Sequence, residues 1–291
     1  MDTEKLKALM CSIETGSLSA AAEKLGYTPS GISRSIAALE EMFGFSLLLR
    51  GKNGVSATAE CEGLLSDIRN MLHMEEQLMQ RAAMTRGVEQ GSVTAGTAYP
   101  FYNEFLAERI VSFRQKHPGI EIRLVEGTSS QLVGMLNQHL LDICIVSKRE
   151  IIPVFEPIVK DSIIAWVPPG HPAVSKGRIT LKDLEKENYI QIYPGRETDN
   201  SIFLQKKKLK VNVCAETSDI YAAYSMVESG LGIALVNAML ASKWQGKAVA
   251  LPLDCDSSVE IGLAHHRPEE TSPAAAAFLE YIREGLEKAD E

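Results

Sequence analysis

The chain has 291 residues, 45% of them hydrophobic, with 30 basic against 38 acidic side chains and a formal net charge of −8. That length exceeds one ordinary domain and can fill two or three cores, while the acidic balance excludes indiscriminate binding to nucleic acid. No apolar run reaches the length of a membrane span and no signal-peptide core opens the chain, so a cytoplasmic protein is expected, and Cys11, Cys61, Cys144, Cys214 and Cys255 read as reduced thiols without ligand spacing.

The first informative segment runs from 16 to 61. Ala20, Ala21, Ala22 and Leu25 give a helix with a small-residue face, and Gly26 ends it where a left-handed residue costs little. Thr28 is a good N-cap and Pro29 fits the first helical position. Ile32, Ile36 and Leu39 return at helical spacing and face inward. Ser30, Gly31, Ser33 and Arg34 then stand on the early, polar face, from which a recognition helix reaches bases and phosphates. Two short apolar runs, 45–49 and 55–58, flank Lys52-Asn53-Gly54, which predicts a hairpin wing. The expectation is a winged helix-turn-helix over 1–58, with Thr28, Pro29, Ser30, Gly31, Ser33, Arg34, Arg50 and Thr58 toward DNA.

Residues 59–89 follow as a linker, helical to about 86. Leu64, Ile68, Met71, Leu78 and Ala82 recur at steps of four and three, with Glu75 in the one polar slot. That is a short coiled-coil seam, the plain alternative being an amphipathic core helix. A polar connector, 87–91, leads to alternating strands and helices. Strands are expected at 92–96, 120–125 and 143–146, with helices marked by Phe105, Ile110 and Phe113 and by Leu132, Leu136 and Leu140. A second set has strands near 163–167, 189–193, 211–214 and 233–236, a helix begun by Thr180 and another through Tyr224 and Val227. A strand at 259–264 and a helix at 274–286 close the chain. This rhythm predicts βαβ units and a parallel sheet.

Ligands of open sheets bind beyond the carboxyl ends of strands. Those ends carry Thr97 and Tyr99, Thr128 and Ser129, Ser147, Tyr193, and Thr217 and Ser218, which are the candidate effector contacts. Hydroxyls and free N–H groups at helix starts suit an anion; the alternative is that each hydroxyl is only a cap. His265-His266 reads as a surface pair, Lys206-Lys207-Lys208 as a solvated helix face, and Gly230-Leu231-Gly232 as a turn. No nucleophile elbow or phosphate loop is present, so no catalysis, metal or cofactor is expected.

The reader segment resembles the LysR-type transcriptional regulators. The resemblance is carried by Ala21-Ala22, by Thr28-Pro29-Ser30-Gly31-Ile32-Ser33, by Leu39-Glu40, by residues 47–50 and by Thr58, and it extends over essentially the whole chain. Departures are Asn53 where the family usually has arginine, Ala57 for leucine, and Glu60-Cys61 for Ala-Gly, which weaken the wing's phosphate contact. The resemblance implies a multi-domain α+β protein with a two-lobed, periplasmic-binding-protein-like effector domain over 90–291: lobe one at 90–161 and 265–291, lobe two at 162–264. It implies double-stranded DNA and a small, anionic effector as partners, and a homodimer or homotetramer joined through Leu64, Ile68, Met71 and Leu78. It leaves room for contact with RNA polymerase and implies no membrane. The rival reading is a cytoplasmic solute-binding or enzymatic α/β protein with an N-terminal interaction module.

Overall fold

The computed structural model describes residues 2–51, 54–86 and 89–287. Lys52 and Asn53, the expected wing tip, and Gly87 and Val88 of the connector lie outside the described residues. The chain forms two compact units, Met1–Gly91 with Gln138–Leu140, and Ser92–Asn137 with Leu141–Glu291.

The first unit opens with α1 (Thr3–Thr15), α2 (Leu18–Leu25) and α3 (Pro29–Phe43), followed by β1 (Leu48–Gly51) and β2 (Gly54–Ala57). Its turns follow from local chemistry. Gly16, Gly26 and Gly44 each end a helix in the left-handed region. Ser17 and Thr28 cap the next helices by accepting backbone N–H groups, and Pro29 occupies the first turn of α3. Leu6, Leu9, Ala22, Ile32, Ile36, Leu39 and Leu47 bury together. The Glu40 carboxylate accepts the N–H groups of Leu47 at 2.8 Å and Leu48 at 3.4 Å, which ties α3 to the wing. β1 and β2 pair antiparallel from Leu48↔Ala57 to Gly51↔Gly54.

The linker is not one continuous helix. It breaks at Gly63 into α4 (Ala59–Glu62) and α5 (Leu65–Thr85). The expected seam is also divided. Ile68 is buried in the unit's own core, and Leu64 packs against that core. Full burial of such a side chain stabilises by about 1.5–3 kcal/mol. Glu75, the polar slot, faces α1: Thr3 Oγ1 donates to it at 2.5 Å and Lys7 Nζ lies 3.1 Å away. Met71 and Leu78 are exposed instead, alongside Met74 and Met79.

The second unit contains β3 (Gly91–Thr97), α6 (Asn103–Lys116), β4 (Ile120–Glu126), α7 (Ser129–Asn137), β5 (Ile143–Ser147) and the long β6 (Val154–Val167). Then come α8 (Ala173–Lys176), α9 (Leu181–Leu184), β7 (Asn188–Ile192), α10 (Asp199–Lys206), β8 (Asn212–Thr217) and α11 (Ile220–Glu228). β9 (Ala234–Asn237), α12 (Ala238–Ser242), β10 (Val249–Pro252), β11 (Ser258–His265) and α13 (Pro273–Glu287) complete it. α7 stops at Asn137, so Leu140 is not on it.

The main sheet runs β10-β6-β11-β5-β3-β4, with β9 also on β6, and β7 pairs β8 beside it. It is mixed rather than parallel: β3 and β5 are parallel, whereas β11 runs antiparallel to both β5 and β6. β6 crosses between the lobes. Its first part, 154–162, pairs with β11, and its last residues pair with β9 and β10. The expected lobe boundary is therefore corrected. β11 belongs to lobe one, because Ile261 to His265 pair with β5 and Ile261 and Leu263 share a core with Val93, Phe113 and Phe278. Lobe two buries Ile163, Ala165 and Leu235 on one sheet face and Trp166, Ile190 and Val227 on the other.

His265 and His266 are corrected as well. Both are buried, not on the surface. His265 Nε2 lies 3.0 Å from Glu156 Oε1, and His266 Nε2 lies 3.0 Å from the Leu141 carbonyl oxygen. Each ring thus has a polar partner inside the core, which is what burial of imidazole demands.

Candidate functional sites

Unit one presents the reader face. Thr28 Oγ1 accepts the Gly31 N–H at 3.1 Å and sits 3.2 Å from Ser30 Oγ. Pro29, Ser30 and Arg34 are exposed, and Gly31 and Ser33 are half-buried. Arg34 Nε donates to the Ser30 carbonyl at 3.3 Å, so its guanidinium folds along the helix surface. A Cβ at Gly31 would stand 3.2 Å from Thr28 Oγ1, which keeps the cap close to the helix. Arg50 is exposed on β1. Thr58 is buried and engaged within the unit. It is 6% exposed, donates to the Ser46 carbonyl at 2.8 Å and accepts the Cys61 N–H at 3.1 Å. Its hydroxyl caps α4 inside the unit.

Unit two has a cavity of about 400 Å³ between its lobes. Thr97, Tyr99, Thr128, Ser129, Tyr193 and Ser218 line it, as the strand-end argument expects. Their roles differ. Thr97 Oγ1 accepts the Tyr99 N–H at 3.0 Å, and Thr128 Oγ1 accepts the Gln131 N–H at 3.3 Å, so both also shape backbone. Tyr193 holds φ +57, uncommon for an aromatic residue, and its N–H donates to the Thr217 carbonyl at 2.7 Å. Burial raises its phenol above the usual range. Two candidates fall outside this cavity. Thr217 accepts the Asp219 N–H at 3.0 Å in a local turn. Ser147 lines a second cavity, of about 1070 Å³.

Several cavity residues carry no local sequence signal. Asn103 Oδ1, Asn200 Oδ1 and Asn237 Nδ2 are buried without a hydrogen-bond partner among the described residues. Asn200 Nδ2 donates to the Leu235 carbonyl at 2.7 Å, which fixes its orientation. Glu126 and Arg196 add one charge of each sign to the lining. Asp199 joins the lobes: its carboxylate accepts from Tyr99 Oη at 2.6 Å and Ser147 Oγ at 2.5 Å, and pairs with Arg149 at 3.0 Å. The signal available in sequence was Thr198 before Asp199, a helix start that the strand-end argument passed over. Among the described residues no cluster of three His, Cys, Asp or Glu side chains could hold a metal, and no helix is long and apolar enough to cross a membrane.

Comparison with known proteins accounts for both units. Residues 3–62 match the family model for bacterial regulatory helix-turn-helix proteins of the lysR family, and residues 86–287 match the LysR substrate binding domain. The uncharacterized HTH-type transcriptional regulator YvbU of Bacillus subtilis is 28% identical over 98% of each chain. The transcriptional activator protein LysR of Escherichia coli is 24% identical over 94% of this chain and 89% of its own. Among solved structures, a full-length OxyR variant from Pseudomonas aeruginosa superposes with a TM-score of 0.74 at 18% identity, covering 98% of this chain and 94% of that one. CbnR, solved in complex with its target DNA, superposes with a TM-score of 0.60 at 22% identity, covering 98% and 100%. A capped recognition helix beside a paired wing, joined to a two-lobed effector-binding domain and matched by both family models, identifies the chain as a member of the LysR family, a DNA-binding transcriptional regulator.

Proposed function

We propose that the regulator acts by coupling a small-molecule effector between the two lobes of unit two to DNA held by α3 and the wing. The observation that carries the effector site is the cavity with three unpartnered amide atoms, Asn103 Oδ1, Asn200 Oδ1 and Asn237 Nδ2, beside the hydroxyls of Tyr99 and Ser129. An unsatisfied buried polar atom costs about 1–3 kcal/mol, so a ligand with a matching donor and acceptor gains that much by binding. The effector is an anion: its charged group meets the hydroxyls at the start of α7, where free N–H groups favour negative charge. Ligand binding shifts the lobes between two arrangements for which it has different affinities.

On the DNA side, Ser30, Gly31, Ser33 and Arg34 enter the major groove and Arg50 meets phosphate. The 1–58 segment carries only Lys5, Lys7, Lys24, Arg34, Arg50 and Lys52, against as many acidic residues, so affinity depends on repeating these contacts in an oligomer. The exposed stripe Met71, Met74, Leu78 and Met79 of α5 serves as the homodimer seam. The protein is not an enzyme, works in the cytoplasm where DNA is, and reaches transcription through RNA polymerase. Gel-shift with the DNA upstream of its own gene, with and without a panel of small carboxylates, tests the reading. Binding of that DNA that one carboxylate alters in wild type, and not in Asn200→Leu, supports it. Binding that no carboxylate changes removes the anionic effector.

A further inference from the structure

The cradle for an anion on lobe one already holds one. Tyr99, Ser129 and Ser147 are 4%, 3% and 1% exposed. Ser129 Oγ accepts the Ser147 N–H at 3.0 Å, and its own hydroxyl faces Ser147 Oγ at 3.0 Å, which locks the Ser147 oxygen in place and leaves the Ser147 proton for Asp199. Arg149 closes the cradle by donating to Ser147 Oγ at 2.5 Å and to Ser130 Oγ at 2.9 Å. All these groups belong to lobe one. The carboxylate they surround belongs to Asp199, at the first position of α10 on lobe two. Both its oxygens are engaged: Oδ2 by Tyr99, and Oδ1 by Ser147 and Arg149. The Asp199 side chain is 10% exposed and the Arg149 side chain 14%.

A buried carboxylate is tolerated only where donors and a counter-charge replace water. Here lobe one supplies two hydroxyl donors and a guanidinium, the set that would hold a free carboxylate. We propose that Asp199 is an internal substitute for an effector carboxylate: it fills the lobe-one cradle, holds the lobes together, and gives way when an external carboxylate takes its place. Asp199 lines both the smaller and the larger cavity. Burial, and next the Asp199 charge, raise the Tyr99 phenol so that it stays a donor for whichever carboxylate is present. The inference rests on the reading that effector binds between the lobes.

Chemical rescue tests it on the full-length protein. Thermal unfolding midpoints are measured for wild type and Asp199→Ala in sodium formate and in sodium chloride of equal ionic strength. The expected result is a lowered midpoint in Asp199→Ala that formate, and not chloride, raises in a saturable way. Wild type, with its cradle filled, responds to both salts alike. Adding Ser147→Ala to Asp199→Ala should abolish the formate gain. Asp199→Ser keeps a polar start to α10 while removing the carboxylate, and carries the same test if the alanine variant does not fold. Equal responses to formate and chloride in the Asp199 variants would overturn the proposal. That outcome is separable from failure of the effector reading, which the promoter gel-shift reports on wild-type protein.

Discussion

The Val55 N–H donates to the Gly16 carbonyl at 2.9 Å, which stitches the wing to the end of α1. Gly54, beside it, holds φ +108, and a Cβ there would stand 2.3 Å from that same carbonyl oxygen. Conformation and space both require glycine. Gly54→Ala should destabilise the protein by more than about 1 kcal/mol and weaken DNA binding as the wing moves. Chemical denaturation checks the first effect; a midpoint equal to wild type would show that the wing does not depend on this contact.

Position and reach separate the hydroxyls of the reader. Ser33→Ala and Arg34→Ala should each weaken specific DNA binding by about 1–3 kcal/mol if they touch bases, and less if they touch phosphate. Thr58→Ala should instead lower stability by about 0.5–2 kcal/mol as a lost cap, with the preference for specific over scrambled DNA unchanged. Arg50→Ala should flatten the slope of log affinity against log salt by about one. Fluorescence anisotropy on the two duplexes measures all four, and loss of preference in Thr58→Ala would return that residue to the interface.

Acid sensitivity should trace partly to Glu156. Arg283, foremost, and His265 hold its carboxyl below the ordinary value of 4.5 against partial desolvation. A depressed carboxyl contributes stability that is present above its unfolded value and is lost as pH falls through the folded one. Glu156→Gln should therefore be less stable than wild type near neutrality, and the difference should shrink below pH 4.5. Urea midpoints across that range decide it; a difference independent of pH would assign the loss to packing alone.

Association should depend on the outer face of α5. Met71→Glu with Leu78→Glu places charges in an apolar contact without partners and should dissociate the dimer. Ile68→Ala should instead act within the protomer, lowering stability by about 2–5 kcal/mol. Sedimentation velocity distinguishes them: an unchanged assembly in the double glutamate variant would move the contact elsewhere.

What the sequence made legible was local. Gly26, Thr28 and Pro29 declare a turn and a helix start because capping involves neighbours only. Ser129 was reachable by rule, since strand ends collect ligands in open sheets. Asp199 was not: its partner Ser147 lies 52 positions away, on the other lobe. Asn200 and Asn237 were hidden for the same reason. β11 shows how far a strand pattern goes. Its apolar residues announce a strand, but which lobe it joins depends on its pairing with β5 and β6. Thr58 kept its motif position, but its burial and its cap on α4 depend on Ser46, twelve positions away, which the motif does not reveal. His265 and His266 show the same limit, as two polar residues in sequence do not reveal the core partners that let them be buried.

β6 and β11 run side by side where one lobe gives way to the other, so the joint is a hydrogen-bonded ribbon. A ribbon resists sliding, because a slip of one residue would turn every side chain to the opposite face. Twist is the soft coordinate that remains. The register shift at Ile261/Gly262 concentrates it, since a bulge sharpens the local coil of a strand. Such a joint resists a slide of one lobe past the other more than a turn about the ribbon's long axis.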